Sequence, residues 1–264
     1  MSSELTYYAP ICGFFLVCAL MTVGWLIQVI RKDASIVDVF WTVSVGALGV
    51  LYAAMGTAPF ERRMYLALIV SAWSLRLALY ILFDRVIGKE EDGRYRYLRE
   101  HWAGRVNLKF FAFFQAQGLA AIFFSIPFFF ISTNASPIIS TFEFIGIALF
   151  IVSLVGEWLA DKQLKEFREQ PSNKGKTCQV GLWHYSRHPN YFFEWLHWCS
   201  YVFMLVGATG VYLSILCPLV MLFSLFKVTG IPHTEAQALR SRGDEYRKYQ
   251  KTTSVFIPWF PKSR

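Results

Sequence analysis

Long apolar runs dominate this chain, and its polar residues are gathered into the segments between them. A helix that crosses a membrane needs about 20 mostly apolar residues. Seven runs approach that length, at residues 8–30, 36–56, 64–87, 108–132, 137–163, 189–207 and 210–229. The pattern predicts an all-α fold, a polytopic membrane helix bundle with about seven transmembrane helices. The first run lacks the basic segment and cleavage site of a signal peptide, so we expect it to be a retained helix.

Composition supports an integral membrane protein. Hydrophobic residues make up 55% of the chain and charged residues only 17%, which is too little polar surface for a soluble domain of this size. The net charge of +8 lies in the segments between apolar runs, which makes a nucleic-acid partner a weak explanation. The five Cys residues include no CxxC pair, so we expect neither a disulfide framework nor a metal site.

Loop charge predicts the orientation of the bundle. If the seven runs cross the membrane in turn, all but three of the 26 Lys and Arg residues lie on one side. The exceptions are Arg62, Arg63 and Arg76, and Arg76 lies inside a run. Cytoplasmic loops carry the excess of Lys and Arg in membrane proteins. The N-terminus is therefore predicted to face out and the C-terminus to be cytoplasmic.

The chain is expected to form a single integral membrane domain over residues 1–264. Within it, residues 232–264 form a cytoplasmic or interfacial tail that packs on the bundle. Thr234 and Gln237 are spaced as a capping box, which predicts that a polar helix begins there.

A basic segment leads directly into the sixth apolar run. Arg187 and His188 precede Pro189, a residue suited to the first turn of a helix. Because a helix N-terminus carries unsatisfied N–H groups and partial positive charge, these residues predict an anion site. A basic flank on a proline-started helix is the simpler alternative for Arg187 alone.

Carboxylates inside two apolar runs point to a binding site. Asn190, Glu194 and Trp198 share one face of the sixth run, and Glu157, Asp161 and Arg168 follow one face of the fifth. Intramembrane ionisable residues usually mark functional sites. These groups could accept from ribose hydroxyls or an amide, while Arg168 meets phosphate. The alternative is a polar stripe that holds helices together.

Arg76 is a basic residue deep inside an apolar run, and Tyr80 lies one turn further on. A buried Arg needs an anion, which Asp38 or a cofactor phosphate could supply. Asp38 could equally be a favourable carboxylate in the first turn of span two. The sequence has no GxGxxG, GxxxxGK[ST], HExxH or GxSxG motif, so soluble nucleotide folds and common hydrolases are unsupported.

The motif Arg187-His-Pro-Asn-Tyr-Phe-Phe-Glu194 resembles the C-terminal domain of the steroid 5α-reductase family, and specifically its uncharacterised bacterial branch. Further matches are Asp38-Val-Phe-Trp41, the basic segment 93–99, and a tail with Arg-Gly-Asp-Glu-Tyr-Arg and Phe-Ile-Pro-Trp-Phe. The resemblance covers nearly the whole chain. Arg-His-Pro-x-Tyr alone also occurs in isoprenylcysteine carboxyl methyltransferases and related phospholipid methyltransferases.

The resemblance implies a seven-helix bundle that holds NADPH in a cavity open to the cytoplasm. A lipid-soluble enone, steroid-like or isoprenoid, would enter from the bilayer. Membrane lipids are the other expected partners, and a bacterial inner membrane the expected location. Taken with the residues above, the expected cofactor contacts are Arg76, Tyr80, Glu157, Asp161, Arg168, Arg187, His188, Asn190, Tyr191, Glu194 and Tyr246.

At the substrate end the chain departs from the animal enzymes. They hold the substrate carbonyl with a Glu and a Tyr, and the matching positions here are Asp38 and Trp73. We therefore predict Asp38 and Trp73 as the catalytic residues, with protonated Asp38 as hydrogen-bond donor. The alternative enzyme is an S-adenosylmethionine-dependent lipid methyltransferase, whose site would use the motif with Glu235, Tyr246 and Tyr249. A transporter or lipid-binding scaffold would need a polar path that the sequence does not provide.

Overall fold

A computed structural model describes residues 2–262 and shows an all-α protein, as predicted. Within these residues there is no β-strand, and one isolated parallel bridge joins Ser186 to Ser254. The α-helices are α1 Ser2–Arg31, α2 Ile36–Met55, α3 Phe60–Ile81, α4 Gly93–His101, α5 Val106–Phe124, α6 Ile126–Thr133, α7 Thr141–Glu169, α8 Leu182–Tyr185, α9 Pro189–Met204, α10 Val211–Phe223, α11 Ile231–Arg242 and α12 Asp244–Thr252.

The chain packs as two compact units. Unit 1 contains the residues up to Ile139 together with Gly207–Gly210, and unit 2 contains Ser140–Val206 together with the chain from Val211 onward. Unit 1 therefore holds α1 to α6, and unit 2 holds α7 to α12.

Six helical stretches in the described residues are long and apolar enough to cross a membrane, which makes this an integral membrane protein. They are Glu4–Arg31, Ile36–Met55, Phe60–Val86, Val106–Thr133, Thr141–Glu169 and Val211–Arg242. The predicted span at 189–207 forms α9, which has only 16 residues. A helix of that length rises roughly 24 Å, less than the hydrocarbon thickness of about 30 Å. The predicted orientation stays a prediction.

In unit 1, α2 lies at the centre and packs against α1, α3, α5 and α6. Small residues bring α2 close to α3. A Cβ added to Gly46 would lie 2.2 Å from Ser74 Oγ, and one added to Gly49 would lie 2.6 Å from a Val70 methyl group. Small residues at such contacts let helix backbones approach closely, which is how membrane helices gain packing energy.

In unit 2, α7 and α9 form the main helix pair, again through small residues. A Cβ on Gly156 would meet the Phe193 ring at 2.4 Å, and one on Gly146 would meet Ser200 O at 2.7 Å. Since position 146 lies opposite 200 and 156 lies opposite 193, the two helices are antiparallel. Helix α10 packs on α9.

The tail folds into two helices instead of one. Helix α11 ends before Gly243, whose φ of +53° suits glycine, and α12 follows at once. The predicted capping box is wrong, because α11 begins at Ile231 and Thr234 lies within it, where its hydroxyl donates to Gly230 O at 2.9 Å. Beyond α12 the chain returns to α9, where Phe256 is buried against Phe192 and Trp195.

Candidate functional site

The start of α9 is fixed by the segment just before it. Pro189 occupies the first turn, and no side chain caps the helix. Ser186 Oγ accepts from the His188 backbone N–H at 3.1 Å and donates to Phe256 O at 2.7 Å. This hydroxyl therefore ties the entrance of the helix to the returning tail.

Arg187 lies inside unit 2 and makes a set of hydrogen bonds to the tail. Its backbone N–H donates to Ser254 O at 2.8 Å. The guanidinium Nε donates to Glu235 Oε1 at 2.7 Å, and Nη1 donates to the carbonyls of Thr253 at 2.7 Å and Gln250 at 3.0 Å. With its side chain only 10% exposed, Arg187 serves as a buried link between α9 and the tail.

Glu235, on α11, is the acceptor at the centre of this arrangement. Besides Arg187, it accepts from Gln250 Nε2 at 2.8 Å and from the Tyr246 hydroxyl at 3.4 Å, and it lies 3.3 Å from His188 Nε2. Burial raises the pKa of Tyr246, and the negative charge of Glu235 adds to the increase. We call these five residues the tail cluster. Three predicted cofactor contacts in this cluster lie against the Glu235 carboxylate, namely Arg187, His188 and Tyr246.

His188 is buried and stacked. Burial lowers the pKa of His188 below its ordinary value, and the hydrogen bond with Glu235 partly offsets this decrease. Its ring lies parallel to that of Tyr191, with centroids 5.3 Å apart, and the Tyr191 hydroxyl lies 3.2 Å from Thr234 Oγ1. The motif residues therefore contact α11 through the Tyr191 hydroxyl as well as through the Glu235 carboxylate.

A second polar group lies between α7 and α9. Asn190 Nδ2 donates to Asp161 Oδ1 at 3.3 Å. One turn further along the antiparallel pair lie Glu157 on α7 and Glu194 on α9, and Glu194 accepts from Trp198 Nε1 at 3.0 Å. Glu157 and Asp161 are 5% and 4% exposed. We call Asn190, Asp161, Glu157 and Glu194 the α7–α9 acceptor group. Their side chains present carboxylate and amide oxygens, which are suited to hydroxyl and N–H donors.

Arg168 lies two turns beyond Asp161, on an exposed part of α7. Nearby lysines pair along the same helix, Lys162 with Glu166 and Lys165 with Glu169, each at 3.8 Å. This end of α7 is therefore a solvated, mixed-charge surface.

In unit 1, Asp38 lies in the first turn of α2 and contacts the polar helix α4. Asp38 Oδ1 accepts from the Tyr95 hydroxyl at 2.7 Å, and Oδ2 accepts from Arg94 Nη2 at 3.1 Å. Asp92 caps α4 by accepting from the Arg94 N–H at 2.9 Å, and its own N–H donates to Ser35 Oγ at 2.8 Å. These five residues form the α2–α4 cluster, in which Asp38 is an acceptor at both oxygens.

The sequence pattern alone did not connect Asp38 with Arg94 or Tyr95. Burial, and next the charge of Asp38, raise the pKa of Tyr95 well above its ordinary value. Although burial opposes it, contact with Arg94 lowers the pKa of Asp92. The useful signal was available in the sequence, because the basic segment 93–99 and the start of span two are predicted to lie on one side of the membrane.

Trp73 lies in the core of unit 1. It is fully buried, and its ring meets that of Trp41 edge to face at 6.2 Å. Arg76 and Tyr80 follow on the same helix and are half-buried. Their predicted roles in catalysis and cofactor binding stay predictions.

Comparison with known proteins places the chain in a family. The model of a family described as "Protein of unknown function (DUF1295)" matches residues 24–253, most of the chain. The protein belongs to the DUF1295 family. The matched part of this DUF1295 chain contains the whole α2–α4 cluster, the whole tail cluster and the α7–α9 acceptor group.

A short segment of this DUF1295 protein is similar to a fungal enzyme. The "Probable O-methyltransferase ustE" of Ustilaginoidea virens is 41% identical over 59 residues. These residues are 22% of this chain and 19% of that protein, so the match spans about a fifth of the relative. No solved structure matches the chain.

Proposed function

We propose that this protein is a membrane enzyme that uses NADPH to reduce a carbon–carbon double bond conjugated to a carbonyl in a lipid-soluble substrate. The family includes steroid 5α-reductase-like membrane proteins, and the motifs at 38–41 and 187–194 point the same way. The observation that carries the proposal is the contact of Asp161 with Asn190, with Glu157 and Glu194 one turn further along.

The chemistry of these residues fits part of the cofactor. The ribose hydroxyls and carboxamide of NADPH are donors, and the α7–α9 acceptor group offers oxygens that would hold them. Its phosphates need cations, for which Arg168 is exposed at the end of α7. Arg187 and His188 already contact Glu235, so their role in the proposal is to fix the start of α9. Bound NADPH would supply a hydride to the β-carbon of the enone.

Asp38, the residue predicted to hold the substrate carbonyl, lies in the α2–α4 cluster of unit 1. Reduction would place negative charge on the carbonyl oxygen, and one proton would have to reach the α-carbon to complete it. Both Asp38 oxygens accept hydrogen bonds here, so Asp38 would have to bind a proton and exchange its contact with Tyr95 or Arg94 for the substrate before it could donate. The Tyr95 hydroxyl is a second O–H donor in the same cluster.

A second candidate is an S-adenosylmethionine-dependent methyltransferase acting on a lipid. Two observations favour it. The tail cluster joins Arg187 to Glu235 and Tyr246, the combination that this alternative expects, and the matched fungal protein is named as a probable O-methyltransferase.

Calorimetry on the purified protein distinguishes the two. We expect NADPH to bind and S-adenosylmethionine not to bind, and Asp161→Asn and Glu194→Gln each to weaken NADPH binding about tenfold or more. Glu166→Gln, on the exposed face of α7, is the matched control and should bind as the wild type does. Binding of S-adenosylmethionine alone would overturn the reductase proposal. NADPH affinity unchanged in both variants would remove the α7–α9 acceptor group from the site.

We further propose the bacterial inner membrane as the location, on the resemblance to the bacterial branch. Fractionation of cells that produce the protein at native levels should place it with inner-membrane markers.

A further inference from the structure

Unit 1 has a cavity of about 450 Å³ where α1 ends and α5 begins. Three basic residues line it, Lys32 just after α1, Arg99 on α4 and Arg105 just before α5. Val29 and Leu108 add apolar walls. The cavity belongs neither to the α2–α4 cluster nor to any residue predicted from the sequence to bind cofactor or substrate.

Two of the three cations carry uncompensated charge. Arg99 is already paired, donating to Glu91 Oε1 at 2.8 Å and to Gln28 Oε1 at 3.0 Å. Lys32 and Arg105 are exposed, and neither side chain has a hydrogen bond or ion pair within the part of the chain that the structure describes. The cavity is therefore open and positively charged.

The backbone holds both free cations in an unusual conformation. Lys32 has a φ of +55° and Arg105 a φ of +46°, and among the described residues these are the two non-glycine residues with positive φ. Such a conformation is costly for residues other than glycine and occurs disproportionately at ligand contacts. Glycine would adopt positive φ at lower cost, yet both positions carry a cation. Both also line the same cavity. No side chain caps α5, so its first N–H groups add partial positive charge.

Exposed apolar surface continues from the cavity along the membrane-crossing helices. Ile30 and Leu26 on α1 are 80% and 48% exposed, and Leu108 on α5 is 57% exposed. Both helices are apolar enough to cross a membrane. A ligand that suits both features has an anionic head and apolar chains, and basic pockets beside transmembrane helices bind such lipid headgroups.

We propose that this cavity binds the phosphate headgroup of an anionic phospholipid, whose acyl chains lie along α1 and α5. Lys32 and Arg105 provide the charge that an anionic headgroup neutralises. A zwitterionic headgroup carries its own cation into the same space and binds more weakly. The proposal does not depend on which reaction the protein catalyses.

Native mass spectrometry of the detergent-purified protein tests it, with phosphatidylglycerol and phosphatidylcholine titrated separately. The variant Lys32→Asn with Arg105→Gly removes both charges and places residues that tolerate positive φ, so the fold is retained. We expect phosphatidylglycerol to be retained over phosphatidylcholine, and the double variant to lose about fivefold in affinity per cation, roughly 25-fold in total. Lys89→Asn with Lys174→Asn, at exposed positions outside the cavity, is the charge-matched control and should bind as the wild type does.

Three results would overturn the proposal. One is equal retention of the two lipids by the wild type, and another is wild-type affinity in the double variant. The third comes from an arm with inorganic phosphate. If phosphate alone binds as tightly as phosphatidylglycerol, the acyl chains contribute nothing and the site belongs to a soluble anion.

Discussion

The α2–α4 cluster of unit 1 and the tail cluster of unit 2 are built from the same groups in opposite positions. Each joins an apolar helix to a polar helix through an arginine, a carboxylate and a tyrosine hydroxyl. In unit 1 the carboxylate, Asp38, lies on the apolar helix and Arg94 on the polar one. In unit 2 Arg187 precedes the apolar helix and Glu235 lies on the polar one.

Burial is what distinguishes the two clusters. The side chains of Arg94 and Asp38 are 36% and 27% exposed, whereas those of Arg187 and Glu235 are 10% and 17% exposed. An ion pair screened by water contributes little, but removing one partner of a buried pair leaves a charge without compensation. Similar hydrogen-bond patterns therefore carry different energetic weight, and we expect the tail cluster to be the more sensitive to mutation.

Glu235→Ala should give the largest effect, because it leaves the Arg187 guanidinium buried without its carboxylate. We expect a loss of about 3–5 kcal/mol in the free energy of unfolding, measured by chemical denaturation in micelles. The control is Glu166→Ala, which removes an exposed pair with Lys162 and should cost less than about 1 kcal/mol. If both variants lower the free energy of unfolding by the same amount, the buried pair of the tail cluster contributes no more than an exposed pair. The proposed difference in sensitivity between the two clusters is then wrong.

Tyr95→Phe should give an intermediate effect. It removes the 2.7 Å hydrogen bond to Asp38 and keeps the buried ring, so we expect a loss of about 1 kcal/mol. The matched change in the other cluster is Tyr246→Phe, whose hydroxyl is 3.4 Å from Glu235 and should therefore contribute less. Denaturation of both variants side by side gives the ranking. A larger loss for Tyr246→Phe would mean that the lower exposure of its acceptor, Glu235, outweighs bond geometry.

Acidification should give the smallest loss of stability. As the pH falls, the tail cluster should lose stability before the α2–α4 cluster does. The folded pKa of His188 lies below its unfolded value of about 6.5, so the unfolded chain binds the proton more readily. Stability from neutral His188 is thus complete above about pH 6.5 and falls as pH drops towards the folded pKa. For Asp92, whose folded pKa is lowered, stability is present above about pH 4 and is lost only below it.

His188→Gln is the variant that isolates the first of these pH effects. Denaturation midpoints between pH 7.5 and 5.5 should fall less steeply in this variant than in the wild type. Identical slopes would show that His188 does not contribute. The effect is small because the hydrogen bond to Glu235 opposes burial.

The lengths of the apolar runs predicted most of the fold. The differences arise where a helix ends inside a run. The bounds of α2 differ from the predicted 36–56 by one residue, because run length and flanking polar residues agree there. The run at 108–132 splits at Ser125, just before Pro127, which lacks the N–H needed to continue α5. The helix in the run at 189–207 ends at Met204, and within residues 2–262 six helical stretches instead of seven are long enough to cross a membrane.

Contacts between site residues were predictable where the partners are close in the sequence. They were less predictable where many positions separate the partners. Helical spacing placed Asn190 with Glu194, and the structure adds Asp161 from the facing helix. The sequence connected Arg187 with Glu235 only in the methyltransferase alternative, because 48 positions separate them. Asp38 and Tyr95, 57 positions apart, were not connected at all. Periodicity describes one helix at a time and contains no information about which helix comes next to it.

The bond between Ser186 and Phe256, with those from Arg187 to Thr253 and Ser254, has a consequence for how the protein is made. During synthesis the residues before α9 leave the ribosome first, and their partners on the tail follow much later. Until the tail emerges, a nascent chain presents a basic motif whose carboxylate and carbonyl acceptors do not yet exist. Closure of the tail on this motif therefore marks the completion of unit 2, and a chain cut short before Glu235 leaves Arg187 without its carboxylate.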